Sequence, residues 1–150
     1  MEAKPKIIVG EGENKYLSTF EEYKFKENGI DYKSVEHYFQ SKKFERTNPE
    51  AAQEIRDSGT SQEANVAGRS NKKMRPDWDS IKYEIMYNAN YLKFKDNPTL
   101  KEKLLNTGDA EIIQQSDQEF YWSQNFQDPP TGRNLLGKIL EDIRKRLKEN

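Results

Sequence analysis

VEHYFQSKKF, residues 35–44, is the stretch that decides the fold, because its spacing predicts a short helix whose faces differ. One side is largely apolar. On another side, at 100° per residue, Glu36, Gln40 and Lys43 fall close together, so a carboxylate, an amide and an amine can converge on one ligand. The alternative is a solvated row of polar side chains, which is what such a row usually indicates.

The composition around this helix is that of one folded domain. The 150 residues are 33% hydrophobic and 11% aromatic, which is enough for a compact core. The 25 Lys and Arg residues nearly balance the 26 Asp and Glu residues, so no global basic field attracts long nucleic acids. We expect a single domain over residues 1–150, a monomer, and only local contacts with any DNA or RNA.

Several functional classes are excluded by the residue types present. The chain has no cysteine, which removes disulfides, thiolate nucleophiles and cysteine-based metal sites, and its one histidine is too few for a histidine-built metal centre. No apolar run approaches the roughly 20 residues that span a bilayer, and residues 1–5 lack the apolar core of a signal peptide. We expect an intracellular, cytoplasmic protein without membrane, metal or other cofactor.

Local patterns predict an α+β fold, a single compact domain with mostly helices around a small β-sheet or hairpin. Alternating residues 23–26 and 30–33 flank Glu27-Asn28-Gly29, which predicts a hairpin. Short strands are also predicted at residues 6–9, 16–20 and 111–114.

Helix starts are indicated by capping residues. Ser34 precedes the opening helix, Asn48-Pro49 starts a helix that runs to about residue 58, and Thr60 with Glu63 forms a capping box. A further helix begins at Asn97-Pro98, and the last helix has a buried stripe of Leu136, Ile139, Leu140, Ile143 and Leu147.

The longest periodic segment places a lysine on an apolar stripe. This stripe consists of Trp78, Ile81, Lys82, Ile85, Met86, Ala89, Leu92 and Lys93. Lys82 is therefore expected on the core side. It either extends its amine to the surface or reaches a polar pocket in which the amine loses its proton readily.

Nine short motifs then follow one another in a recognisable order. They are YLSTF (16–20), EHYFQSKKF (36–44), GR (68–69), RPDW (75–78), Lys82 with Met86, KF (93–94), LLNTG (104–108), Trp122 and GRNLLGK (132–138). Over about residues 16–147 they resemble the NADAR, or YbiA-like, family. The resemblance implies N-glycosidase activity: some members hydrolyse phosphoribosylamino intermediates of riboflavin synthesis, and others remove ADP-ribose from modified guanine.

Departures from the family pattern leave the choice of substrate open. The family usually has Asp where this chain has Glu119, and Gly where it has Ser123. Glu119 keeps the carboxylate of the usual Asp, but its side chain is longer by one methylene. The resemblance also implies substrate-binding positions at Ser18, Gln40, Asn134 and Gly137.

The chemistry requires a proton donor and favours an amine. Cleavage builds positive charge on the sugar while the leaving amine needs a proton, and a carboxyl group serves both needs. Glu36 and Glu119 are the candidates. Because such an N-glycoside can open to an imine, an unprotonated lysine, Lys43 or Lys82, can attack C1 and release the base.

Aromatic and cationic side chains complete the predicted site. Trp78 and Trp122 are candidates for stacking on the base or sugar, and Arg69 and Arg75 for pairing with phosphate oxygens. The alternatives are core tryptophans and solvated arginines.

The favoured hypothesis is therefore a hydrolase that removes ADP-ribose from ADP-ribosylated guanine in nucleic acid or nucleotides. Hydrolysis of phosphoribosylamino intermediates is the alternative within the same enzyme class. A non-catalytic module that binds ADP-ribose would use the same arginines and tryptophans, but it would not need Glu36 and Lys43 for turnover. A structural protein would have no use for a core-facing lysine.

Overall fold

The structure is a computed structural model that describes residues 4–70 and 73–150, so the prediction from residues 1–5 falls partly outside it. The helices are α1 (Val35–Lys42), α2 (Pro49–Arg56), α3 (Ser61–Arg69), α4 (Trp78–Asp96), α5 (Pro98–Leu105) and α6 (Leu135–Glu149). The strands are β1 (Lys6–Ile8), β2 (Phe25–Glu27), β3 (Ile30–Tyr32) and β4 (Glu111–Ile113), which pair two by two. The predicted α+β class, with mostly helices, is confirmed.

The contacts divide the chain into two units, one of residues 19–97 and one of residues 4–18 with 98–150. The extent of a single domain over residues 1–150 stays a prediction. Among the helices of the described residues, none combines the length and apolarity needed to cross a membrane.

The first unit begins with the predicted hairpin of β2 and β3. Asn28 and Gly29 occupy its turn with φ angles of 51° and 79°. Two successive positive φ values suit the two-residue turns whose twist matches that of paired strands, and Asn-Gly is the sequence that adopts them most readily. The hairpin prediction is confirmed, with Phe25 opposite Tyr32.

Helix α1 lies at the centre of this unit. Ser34 caps it by accepting a hydrogen bond from the backbone N–H of His37, as predicted. Helices α2, α3 and α4 pack around it. As a result every residue from 35 to 41 is buried, and Glu36 and Gln40 are only 4% and 3% exposed. The alternative of a solvated polar row is therefore wrong, because three helices cover the faces that a free helix would expose.

The only histidine of the sequence fastens the start of α1 to the α2–α3 connection. His37 Nε2 lies 3.0 Å from the carbonyl oxygen of Ser58, which can only accept, so this nitrogen carries the proton. Its Nδ1 then accepts from Ser34 Oγ at 2.7 Å, and Ser61 Oγ donates to Ser34 Oγ at 2.8 Å. Burial lowers the pKa of His37, which agrees with a neutral ring in a structural role.

The caps of α2 and α3 follow the sequence signals closely. The Asn48 side chain accepts from Ala51 N–H, and Thr60 accepts from Glu63 N–H. The reciprocal bond of the capping box goes from Gly59 N–H to the Glu63 carboxylate, one residue earlier than in the usual box. Helix α2 ends at Arg56, two residues before the predicted end.

The second unit is built on the parallel pair of β1 and β4. Lys6 lies opposite Glu111 and Ile8 opposite Ile113, and α6 packs against β4 and α5. The stripe predicted for the last helix is buried, as expected: Leu136, Ile139, Leu140, Ile143 and Leu147.

The strand predicted at residues 16–20 is wrong. A 3₁₀ helix, Gly12–Leu17, occupies its first part and buries Tyr16 and Leu17. Ser18 N–H closes it with a bond of 2.9 Å to the Lys15 carbonyl. These local bonds use backbone groups that a strand would present to a neighbour.

Candidate functional site

The candidate site in the first unit centres on the carboxylate of Glu36. Its Oε1 accepts two hydrogen bonds of 2.7 Å, one from Gln40 Nε2 and one from Asn65 Nδ2. Gln40 is one helical turn further along α1, whereas Asn65 comes from α3. Among the described residues none donates to Oε2, so the two oxygens of Glu36 have different surroundings.

Lys43 lies at the end of the same helix. Its Nζ is 3.4 Å from the Gly68 carbonyl oxygen and 5.9 Å and 5.8 Å from the ring centres of Phe39 and Trp78. Burial lowers the pKa of Lys43, and the positive charges of Arg69 and Lys82 lower it further, against the opposing effect of Glu36. The amine therefore loses its proton more easily than an ordinary lysine does.

Gly68 allows α3 to come close to this part of α1. A Cβ atom added at Gly68 would lie 2.6 Å from the Cβ and Cδ atoms of Gln40, so any other residue would push the helices apart. Gln40 Oε1 is buried and has no hydrogen-bond partner in the described part of the chain. Gln40, predicted to bind substrate, is thus placed against Glu36 and Gly68 with its amide group enclosed.

Trp78 lies beneath Lys43 in the wall of the site. It is 5% exposed and meets Phe39 edge to face, with ring centres 5.0 Å apart. A ring covered to this degree offers little surface to a stacking base. Its placement agrees with the alternative of a core tryptophan that also bounds the site.

The three cations predicted near substrate phosphates or the reaction centre have different partners. Arg75 holds the Asp77 carboxylate through two bonds of 2.6 Å and 2.9 Å, which raises the Arg75 pKa. Its guanidinium is therefore already occupied. Arg69 is exposed at the end of α3. The Lys82 side chain is 26% exposed and its Nζ lies 3.4 Å from the exposed Asp79, while Trp78 and Met86 on the same stripe are buried, which agrees with the alternative that the Lys82 amine extends to the surface.

The second unit uses its predicted site residues largely for its own structure. Glu119 Oε1 accepts from the backbone N–H groups of Tyr121 and Trp122 at 2.7 Å and 2.6 Å, so this carboxylate holds the aromatic loop. Trp122 is half-buried and meets Tyr121 edge to face at 4.6 Å. Ser18 forms the C-terminal cap of the 3₁₀ helix.

Asn134 and Gly137 join α6 to β4. The Asn134 amide donates to the Ile112 carbonyl and accepts from Gln114 N–H, both at 2.9 Å. Asn134 is 4% exposed, and a Cβ at Gly137 would lie 2.7 Å from its Oδ1. Both ends of the amide are therefore used by the backbone of the strand. These contacts give the pair a structural role within the unit, and the substrate-binding role implied for it stays a prediction.

Asn65 was missed by the sequence reasoning. A signal existed: asparagine is a weak helix former, and this one stands inside α3, three residues before Gly68 and four before Arg69. Its partner Glu36 is 29 positions away, which periodicity along one helix does not reveal. In the described ranges, no group of three or more His, Cys, Asp and Glu side chains forms a cluster that could hold a metal ion.

The similarity of this chain to known proteins extends along most of its length. Residues 9–148 match the NADAR domain family. N-glycosidase YbiA of Escherichia coli is 30% identical over 132 residues, which cover 87% of this chain and 80% of that protein. N-glycosidase Npun_R5314 of Nostoc punctiforme is 34% identical over 77% of this chain and 74% of its own length.

A plant relative contains the matched region as a small part. The chloroplastic riboflavin biosynthesis protein PYRR of Zea mays is 34% identical over 129 residues, and the chain spans 20% of its length. Among solved structures, that of E. coli YbiA superimposes with a TM-score of 0.86 at 27% identity, covering 99% of this chain and 88% of that one.

These matches define first a class and then a family. The fold and the relatives place the chain among hydrolases that act on N-glycosyl bonds. The chain belongs to the NADAR domain family.

Proposed function

We propose that this N-glycosidase removes ADP-ribose from ADP-ribosylated guanine by attack of the Lys43 amine on C1 of the ribose. The observation that carries the proposal is that a buried carboxylate, Glu36, and a lysine of lowered pKa, Lys43, lie near each other on one face of the same helix. A lysine becomes a nucleophile when its environment favours the neutral amine. Glu36 and Lys43 together supply the proton donor and the nucleophile that the reaction requires.

The proposed reaction proceeds through an exchange of amines. The ribose ring opens to an imine of the guanine amino group, and neutral Lys43 Nζ adds to C1. The C1–N bond to guanine then breaks as the guanine nitrogen takes a proton from Glu36. Water adds to the resulting Schiff base and delivers its proton to Glu36, which regenerates the Lys43 amine and releases the sugar. A carboxyl group is suited to both proton transfers.

Positive charge beside the nucleophile supports a phosphorylated substrate. Arg69 and Lys82 are close enough to Lys43 to lower its pKa, so an anion bound there is attracted to these two cations. Arg69 is exposed and is the leading candidate for phosphate, whereas Arg75 would have to exchange Asp77 for a ligand. Exposed Arg46 and Lys73 add local charge for a nucleic acid that carries the modified base. We propose action as a monomer inside the cell, where such nucleotides arise.

A second substrate class has support from the relatives. Besides the maize protein, a relative from Vibrio vulnificus is named riboflavin biosynthesis protein VVA0006, is 30% identical, and is spanned by this chain over 36% of its length. Phosphoribosylamino intermediates carry the same bond from ribose C1 to an exocyclic amine, with one phosphate in place of the ADP group. Glu36 and Lys43 serve that reaction by the same steps.

Parallel assays distinguish the possibilities. The purified protein is incubated with an oligonucleotide carrying ADP-ribosylated guanine and, separately, with a phosphoribosylamino pyrimidine, and free sugar is measured by chromatography. The proposal expects faster release of ADP-ribose. Faster release of ribose phosphate would favour the second class. Tight binding of ADP-ribose without release from either substrate would indicate a binding module and overturn both.

A further inference from the structure

Two amide groups converge on one oxygen of Glu36. Gln40 Nε2 and Asn65 Nδ2 each lie 2.7 Å from Oε1, and they reach it from different helices. Gln40 is enclosed at 3% exposure, and its contact with Gly68 limits its movement. Asn65 is half-buried and ties the carboxylate to α3. The carboxyl plane is thus fixed from two directions.

Two donors determine which oxygen exchanges a proton. A carboxylate oxygen that already accepts two N–H bonds has both lone-pair directions occupied. A proton added to Glu36 therefore goes to Oε2, while Oε1 keeps both bonds as a carbonyl oxygen. The group can gain and lose a proton without rotating, which is the preorganisation that proton transfer to a bound substrate benefits from.

We propose that Asn65 is a positioning residue, which together with Gln40 occupies Oε1 of Glu36 and so reserves Oε2 for proton transfer to and from the substrate. The inference rests on the proposed function of Glu36 as the acid and base. It adds a residue from α3 to the site and explains why α3 must approach α1 as closely as Gly68 permits. Asn65 itself need not touch the substrate.

A double-mutant cycle tests this assignment. Asn65→Ala is expected to lower kcat by about 10- to 100-fold with KM changed less than threefold, the range associated with a small misplacement of a reacting group. In the Glu36→Gln background the same substitution should have almost no further effect, since residues that act as a unit are not additive. Gln62→Ala, an exposed amide on the same helix, is the matched control and should leave both constants unchanged.

The Asn65→Asp variant is expected to change the pH dependence of kcat, which a purely structural role of Asn65 would leave unchanged. It places a second carboxylate against Oε1, and two like charges so close share a proton. Because Glu36 must carry its proton when guanine leaves, the limb of kcat that falls with pH is expected to move to higher pH by about one unit or more. A kcat loss that is equally large with and without Glu36, or an unmoved pH profile in a folded Asn65→Asp variant, would overturn the proposal.

A spectroscopic measurement separates this inference from the proposed function. The side-chain amide protons of Asn65, assigned by NMR in the whole protein, are expected to shift in Glu36→Ala and to stay unchanged in the control variant Glu50→Gln on α2. If the wild type cleaves neither substrate, the proposed function fails, whereas the predicted amide shift still supports the contact on which positioning depends. An Asn65 signal insensitive to Glu36 would contradict the positioning role even in an active enzyme.

Discussion

Lys42 and Lys43 are neighbours in the sequence, yet α1 directs them to opposite environments. Lys42 Nζ lies 2.8 Å from Glu27 and 2.8 Å from Glu45. Burial alone would lower the pKa of Lys42, but the hydrogen bonds to these two carboxylates outweigh burial and raise it. Lys43 is also half-buried, its one hydrogen-bond partner in the described part of the chain is the Gly68 carbonyl at 3.4 Å, and its pKa is lowered. Burial thus makes a lysine either a fixed cation or a potential nucleophile, and direct pairing decides which.

The carboxylates near these two lysines, Glu27 beside Lys42 and Glu36 beside Lys43, differ in the same way. Glu27 accepts from Lys42, Tyr38 and Asn88, each at 2.8 Å, and these bonds outweigh the effect of burial so that its pKa is lowered. Within residues 4–70 and 73–150, Glu36 accepts only from neutral amides, and only at Oε1. The Glu27 side is a closed ionic network, whereas the Glu36 side keeps an oxygen and an amine for a ligand. We therefore assign stability to the first side and chemistry to the second.

Lys43→Met should have the largest effect on activity. The substitution removes the nucleophile and is expected to lower kcat by about 10³-fold or more. Because methionine replaces a cation that burial penalises, the free energy of unfolding should be unchanged or slightly higher. Kinetics and urea unfolding measure the two effects, with Lys95→Met, at an exposed position on α4, as the control for general loss of charge. Comparable losses in both variants would remove the special role of Lys43.

Glu36→Gln should have the next largest effect on activity. An amide cannot exchange the proton, so turnover is expected to fall by about 10²-fold while affinity for the ligand changes little. Isothermal calorimetry and steady-state rates separate these quantities. The matched control Glu50→Gln, exposed on α2, should behave as the wild type. Normal turnover in Glu36→Gln would exclude this carboxyl from the mechanism.

Lys42→Met should give the opposite pattern to Lys43→Met. It leaves Glu27 and Glu45 without their shared cation, and the free energy of unfolding is expected to fall by about 2 kcal/mol, since both Lys42 and Glu27 are largely but not wholly buried. Turnover per folded molecule should remain within about threefold of the wild type. Urea unfolding followed by circular dichroism measures the loss. A Lys42→Met variant as stable as the wild type would show that the ionic network does not contribute to the free energy of unfolding.

Arg69→Ala should have the smallest effect and refine the account of Lys43. Removing a positive charge that lowers the Lys43 pKa lets that pKa rise, so more amine is protonated at a given pH. Because the neutral amine reacts, the limb of kcat that rises with pH should move to higher pH. Affinity for ADP-ribose should also fall by about tenfold, the effect of losing one exposed charge-assisted bond. An unmoved limb would mean that Arg69 does not influence the nucleophile.

Local chemistry made much of the fold predictable. The hairpin followed from Asn28-Gly29, and the starts of α1, α2 and α3 followed from Ser34, Asn48 and Thr60, because turns and caps depend on residues within a few positions. The failed strand at residues 16–20 shows the limit. Short aromatic segments do not reveal whether a strand partner exists, and here local 3₁₀ bonds took its place.

The site was predictable where it lies on one helix and less so where helices meet. Glu36, Gln40 and Lys43 share α1, so periodicity brought them together. The burial of Glu36 depends on three surrounding helices, and its contact with Asn65 depends on Gly68, so neither is visible in local sequence. The substrate-binding role of Asn134 was implied by the family resemblance alone, and its contacts with Ile112 and Gln114 depend on where α6 packs, which local sequence does not show.

Trapping of a covalent intermediate tests the central claim most directly. A Schiff base between Lys43 and C1 of the opened ribose is reducible, so borohydride added during turnover should link the sugar to the protein irreversibly. Peptide mass spectrometry is expected to locate the added mass on Lys43, with none in the Lys43→Met variant. Continued hydrolysis with no adduct would contradict the lysine mechanism in favour of direct attack by water, and an adduct on Lys82 would contradict the assignment of the nucleophile.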